Sequence, residues 1–251
     1  MATQAEWTLL GLDLAWRPDR NPSALAVWDE GSGQARLFRA LASAQEVRDA
    51  VEEWSGSRAL LAVDAPLIVR NESGQRPCEA QLNADFRRHH AGAHPSNLTL
   101  YPEAETVQLA DHWRASGFRD YPAQGVRDAG PARWMAEVYP HPAQITLLGR
   151  EQIVRYKRGS VEQRRQRLAE YQDLLRGYLA RELPDFLAAE EIGALFAGSP
   201  TELRGQSLKT HEDALDACFC LAIADPLACA QADDLHYYGD HDTGFIVVPR
   251  A

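Results

Sequence analysis

The sequence has no apolar stretch approaching the roughly 18 residues that a membrane-spanning helix needs. It has no basic start followed by an apolar core; Met1–Trp7 is short and polar, so no secretory leader is expected. Cysteine is scarce. Cys78, Cys218, Cys220 and Cys229 show neither metal-ligand spacing nor the pattern of a disulfide scaffold, and they read as reduced thiols of a cytoplasmic protein. Excess positive charge is missing too. A formal net charge of −10 excludes nonspecific nucleic-acid binding over the whole surface and confines any such contact to a local patch. No internal repeat and no low-complexity tract is present. What remains is an ordinary globular composition: 251 residues, 45% hydrophobic and 25% charged, read here as a single domain over residues 1–251.

The chain opens on Thr8–Trp16, an apolar run of the kind that forms a buried strand, with one carboxylate, Asp13, in its middle. Ala24–Trp28 and Ala35–Ala40 read as two further strands. The turn chemistry of Arg17–Pro22 and Asp29–Gly33 separates the three and makes them an antiparallel meander. Ser43 and Glu46 form a capping box for a helix over Ala44–Trp54. Ala59–Val63 follows as a buried strand parallel to the first, and Asp64 stands at its end. From about 70 to 131 the pattern degrades into loops with helices at Cys78–His89 and Thr106–Ser116, which reads as an insertion or lid. Ala136–Tyr139 reads as a fifth strand ended by Pro140-His141-Pro142. Helices are expected over Val161–Leu183, Glu190–Phe196, Thr210–Ala222 and Pro226–Asp234, and a final hairpin over His236–Val248. Cys218 and Cys220 fall within an apolar helix and read as packing residues.

A carboxylate left alone among apolar neighbours costs several kcal/mol, so Asp13 needs a partner. Asp64 comes to the same sheet edge if the two strands are neighbours. Asp213 and Asp216, at i and i+3, share a helix face. Clustered carboxylates repel one another unless cations hold them, and Mg²⁺ or Mn²⁺ are the hard ions that prefer oxygen ligands. Two such ions about 4 Å apart would activate water and stabilise a leaving oxygen in phosphodiester hydrolysis. Each acid also has a plainer reading. Backbone amides or an arginine satisfy Asp13, and Asp64 forms a turn before Ala65-Pro66. Asp213 sits in the first turn behind a Thr210 cap, and Glu137 pairs with an arginine such as Arg133. Asp216 has no structural excuse of this kind.

The order of these features resembles the RNase H-like superfamily: an acid in the first strand of a meander, a helix, an acid at the fourth strand, and a late helix carrying two acids. Asp213-Ala-Leu-Asp216-Ala is similar to the Asp-Ala-x-Asp-Ala of RuvC-type Holliday junction resolvases. Gly11-Leu-Asp-Leu-Ala15, Val63-Asp-Ala-Pro-Leu67, Glu137-Val-Tyr-Pro140 and His211–Ala217 together look like a bacterial and archaeal family of unknown function described as predicted RNase H-like nucleases. The resemblance implies a mixed α/β fold with a five-stranded sheet, meander plus parallel strands, flanked by helices. It implies Asp13 as the acid shared by one or two Mg²⁺ or Mn²⁺ ions, with Asp64, Asp213 and Asp216 as further ligands. Glu137 has no fixed role in that set and would be an outer ligand or orient substrate. Many nucleases of the superfamily carry an acid in the first long helix; here Glu46, Glu52 and Glu53 are the choices, unless Asp216 replaces them.

The one basic run is Arg150–Arg167, in which Arg155, Lys157 and Arg158 surround Tyr156 and precede Gly159. That mixture suits phosphate contact, or a solvated helix face. His211 lies beside the acid pair and is a candidate for substrate contact. His89, His90 and His94 hint at zinc, but Gly92 and Pro95 break the helix that would align them. Arg76, Glu79, Arg87 and Arg88 either close over the acids as a lid or lie on a solvated helix. Three functions compete: a metal-dependent nuclease acting on nucleic acid or a nucleotide, a catalytically silent binding or regulatory protein, and a phosphotransferase of the actin and sugar-kinase type. The last needs small or hydroxyl residues after the first-strand acid, where Leu14-Ala15-Trp16 stands, and is demoted.

Overall fold

Alternation along the first apolar run decides how the layers stack. In a computed structural model describing residues 6–250, that run forms β1 (Thr8–Asp13). Most of the Met1–Trp7 segment, on which the absence of a leader was read, lies outside the described residues. Leu10 and Leu12 face one core and Leu9 the other, so helices cover the sheet on both sides. The expected meander forms: β2 (Ser23–Asp29) pairs antiparallel with β1, and β3 (Gln34–Leu41) antiparallel with β2. The helix α1 (Ala44–Trp54) starts where read. Ser43 Oγ accepts from the Glu46 N–H at 3.2 Å, and the Glu46 carboxylate reaches back to the Ala42 N–H at 2.8 Å. Through α1 the chain crosses to β4 (Ala59–Val63), parallel to β1.

The next segment holds α2 (Pro77–Phe86), α3 (Glu105–Ala115) and a strand that the sequence did not show, β5 (Phe118–Asp120). It pairs parallel with β6 (Arg133–Glu137), which starts three residues before the expected fifth strand and stops at Glu137. The sheet therefore has six strands, in the order β3-β2-β1-β4-β6-β5, and not five. A three-residue edge strand is too short to show a period of two.

Pro140 does not merely end a strand. It opens α4 (Pro140–Thr146), since proline's fixed φ suits the first helical turn. After α5 (Val161–Glu182), α6 (Pro184–Ala188) and α7 (Glu190–Ala197) comes α8, one helix over Gly205–Ala228. Thr210 is thus no cap; Arg204 holds that position, and Pro226 lies inside the helix. Burial of every side chain from His211 to Ala224 holds the helix together past the Pro226 break. Asp213 consequently loses its first-turn explanation. The chain ends in the expected hairpin, β7 (Leu235–Asp240) and β8 (Gly244–Pro249), a separate two-stranded sheet. Leu82 and Phe86 of α2 pack on Tyr238, Ile246 and Val248 of that hairpin.

α8 lies directly against β1. An ideal Cβ on Gly11 would fall 2.0 Å from the Leu221 backbone nitrogen and 2.3 Å from the Ala217 carbonyl oxygen, so only glycine allows this approach. No described helix is long and apolar enough to cross a membrane.

Asp225, near the end of α8, is pushed up to about 6 by burial, with Glu30 and Glu182 adding to the effect. An unfolded aspartate ionises near pH 4. Between about pH 4 and 6 the folded chain therefore holds the extra proton and stability falls as pH rises. Asp225→Asn should raise the melting temperature by a few degrees at pH 7.5, and the gain should vanish near pH 4. Melts at the two pH values check this; an equal effect at both would refute it.

Candidate functional site

Parallel neighbours deliver acids to the same edge. Asp13 ends β1, and Asp64 follows β4 directly, its N–H donating to the Leu12 carbonyl at 2.9 Å. Glu137 ends β6, the next strand along. This is the carboxyl edge of the parallel strands, where open α/β sheets place their ligand crevices. A cleft of about 670 Å³ opens there, lined by Asp13, Asp64, Glu137, Lys157 and Asp213 among others. Asp216, from α8, is 1% exposed.

The partner of these acids is a lysine. Lys157, in the loop between α4 and α5, has a side chain 42% exposed, yet its Nζ ends 2.9 Å from the buried Asp216 Oδ2. The other Asp216 oxygen accepts from the Tyr156 hydroxyl at 2.5 Å, and the Tyr156 ring stacks on Tyr171 with centroids 4.5 Å apart. Burial pushes Asp13 well above the usual carboxylate range; Lys157 opposes this, while Asp216, Asp213 and Asp64 add to it. Burial likewise lifts Asp64 to about 7, again against Lys157. For Lys157 burial acts downward, but Asp216, Asp13 and Asp64 outweigh it and raise the ammonium well above its ordinary value. Asp213 is ion-paired with Lys209 one helical turn away.

Glu137 has a different arginine from the Arg133 that its neighbourhood in sequence suggests. Arg76 grips it through two contacts, at 2.5 and 2.9 Å, and the Leu67 N–H donates to it at 2.9 Å. Arg133 pairs with Glu52 at 2.9 Å instead. Arg76 also donates to Glu79 at 2.9 Å and to the Ile68 carbonyl at 2.9 Å. Arg76 and Glu79 are thus buried anchors of α2 and not part of a solvated face, whereas Arg87 and Arg88 are exposed. His211 is not brought to the acids. Its Nε2 lies 2.6 Å from Gln172 Oε1, and it lines a separate cavity with Arg39. Of the basic trio, Lys157 reaches the acids; Arg155 and Arg158 line an adjoining cleft of about 350 Å³. The first-helix acids are not in the cluster either: Glu46 caps α1, Glu52 holds Arg133, and Glu53 is exposed.

Sequence reasoning passed over His141 and Tyr139. The His141 Nδ1 is 2.9 Å from the Tyr139 hydroxyl. Burial, then Lys157, lowers His141 to about 4, so its imidazole is neutral at pH 7. The signal was their position, immediately after a strand-end acid and at a helix start. Tyr156 was visible only as an aromatic inside a basic run.

An oxygen-only donor set suits a hard divalent cation, and Asp216 Oδ2 is buried without an aligned hydrogen bond. The arrangement is another matter. Among the described residues no three His, Cys, Asp or Glu side chains stand close enough to hold one ion, and the Lys157 ammonium stands among the same carboxylates. As arranged, the cluster fits an ammonium and not a divalent ion.

A family model described as a protein of unknown function (DUF429) matches residues 11–243. No curated protein and no solved structure gives a match.

Proposed function

The chain belongs to the DUF429 family, and we propose that it is an RNase H-like phosphodiester hydrolase, a nuclease whose site is the carboxylate cleft at the ends of β1 and β4. One observation carries the reading. Acids from two parallel strands and from α8 gather near the Lys157 ammonium at the carboxyl edge of the sheet, beneath a ligand-sized cleft. The meander followed by parallel β4 and β6 supports an RNase H-like architecture, to whose sheet the 70–131 segment adds β5. Asp13, Asp64, Asp213 and Asp216 are the oxygen donors this reading assigns to Mg²⁺ or Mn²⁺, one or two ions, and the Lys157 ammonium would have to leave them before an ion could bind. Around them Tyr156 fixes one oxygen of Asp216 by hydrogen bonding, and neutral His141 offers a proton acceptor at the cleft wall. Four free cysteines, three of them buried and Cys229 exposed, suit a cytoplasmic setting.

The ammonium favours a second reading. Lys157 neutralises the acids without any metal, as a catalytically silent binding protein would require. Metal and ammonium compete for the same carboxylates, which separates the two. Under the nuclease reading, Mn²⁺ raises the melting temperature of the wild type by several degrees and Asp13→Asn abolishes the rise. Lys157→Met melts lower in EDTA, because buried carboxylates lose their counter-charge, and gains more from Mn²⁺ than the wild type does. No Mn²⁺ effect on any of the three proteins would leave only the silent reading. Labelled DNA, RNA, junctions and nucleotides then define the substrate, with Asp216→Asn as control. Cleavage surviving in that variant would place the activity elsewhere.

A further inference from the structure

The cleft beside the acids contains no acid. Arg87, Arg155 and Arg158 line it together with Lys157, His90 and His94, and no Asp or Glu contributes to its wall. In a chain of net charge −10 that is a local reversal of sign. Lys157 is engaged with Asp216, but the three arginines are exposed and have no carboxylate partner among the described residues. Guanidinium groups left unpaired around a concave surface recognise phosphate. The two clefts adjoin, since His94, Tyr139, His141, Lys157 and Arg158 line both.

Elsewhere in the acid cleft's lining lie two aromatics. Trp16 follows β1 and Tyr101 precedes α3; both are half-buried, with ring centroids 4.1 Å apart. Aromatic faces for bases and cations for the backbone are the two elements of a single-strand path.

We propose that the two adjoining clefts together seat a single nucleic-acid strand, with bases against Trp16 and Tyr101 and the flanking phosphates on Arg87, Arg155 and Arg158. The ligand is a single strand and not a duplex, because a second strand would present its phosphates to a surface of net negative charge. It is an oligomer and not a lone nucleotide, because the adjoining clefts, of about 670 Å³ and about 350 Å³, each suffice for one small ligand. The proposal rests on the phosphodiester reading for what the strand is there to undergo, but its test needs no turnover.

Fluorescence anisotropy of a labelled oligothymidylate of about 12 nucleotides, in EDTA, measures binding alone. With three phosphate contacts the logarithm of the association constant should fall with log salt at a slope of about −2. The triple variant Arg87→Gln, Arg155→Gln, Arg158→Gln should bind at least about tenfold more weakly at low salt, with the slope approaching zero. Trp16→Ala with Tyr101→Ala should weaken binding and leave the slope unchanged. All three arginines are exposed, so melting temperatures of the triple variant should match the wild type. Unchanged affinity in the triple variant, no binding by the wild type, tighter binding of the blunt duplex, or competition by thymidine monophosphate at the same molar concentration as the oligomer would each overturn the proposal. Binding as expected with no cleavage under any metal would overturn the nuclease reading and leave the strand path standing.

Discussion

Arg76→Gln is expected to destabilise the protein by about 3–5 kcal/mol, the usual cost of leaving a buried charge without its partner. For a chain of this length that is a fall in melting temperature on the order of 10 °C. Arg76 is 2% exposed and Glu79 1%, and Glu137 is buried with them. The guanidinium spends its donors on both carboxylates and on the Ile68 carbonyl. The glutamine would leave two buried carboxylates without their counter-charge. Arg76→Lys should fail nearly as badly, because one ammonium cannot reproduce a two-pronged grip on Glu137 and also reach Glu79. Removing both charges of the principal pair, in Arg76→Met with Glu137→Gln, should cost less than the sum of the separate changes, and a double-mutant cycle in urea measures that coupling. Additive effects would mean the two side chains do not act as a pair. The contact ties the start of α2 to the end of β6, so it also fixes the wall of the carboxylate cleft.

The Arg76–Glu137 pair shows where sequence reading stops. Its members are 61 positions apart, and nothing local in either segment marks the other. The same holds for Lys157 and Asp216. The lysine was visible as one charge in a basic run, and the aspartate as an acid that an apolar helix did not need. Their meeting depends on how the loop after α4 folds back on α8. By contrast the meander, the crossover through α1 and the strand-end placement of Asp13 and Asp64 were legible, because each follows from periodicity and turn chemistry within a few residues. The late helix failed in the opposite direction. Thr210 is a genuine local start signal and Pro226 a genuine local breaker, and the burial of α8 on β1 and β2 outweighs them. β5 escaped notice because three residues carry no pattern.

Gly11 joins the legible part of the chain to the part that was hidden. Gly11→Ala is expected to cost about 3 kcal/mol or more, and to lower the melting temperature by about 6–12 °C. The new Cβ would meet the Leu221 nitrogen at 2.0 Å, the Ala217 oxygen at 2.3 Å and the Leu221 Cα at 2.6 Å. All three are backbone atoms, so no rotamer change relieves the overlap; β1 and α8 must separate. Asp13 lies two residues beyond Gly11, and Asp216 is next to Ala217, so the same separation pulls apart the acids around Lys157. Gly177 is the control. It sits within α5 with nothing within 4 Å of an added Cβ. Gly177→Ala should be neutral or stabilising by up to about 1 kcal/mol, since alanine is the better helix former. Thermal melts of the two variants side by side distinguish a close contact of strand and helix from a general intolerance of substituted glycine. If Gly11→Ala melts with the wild type, then β1 and α8 are not in backbone contact, and the placement of Asp13 beside Asp216 loses its physical basis.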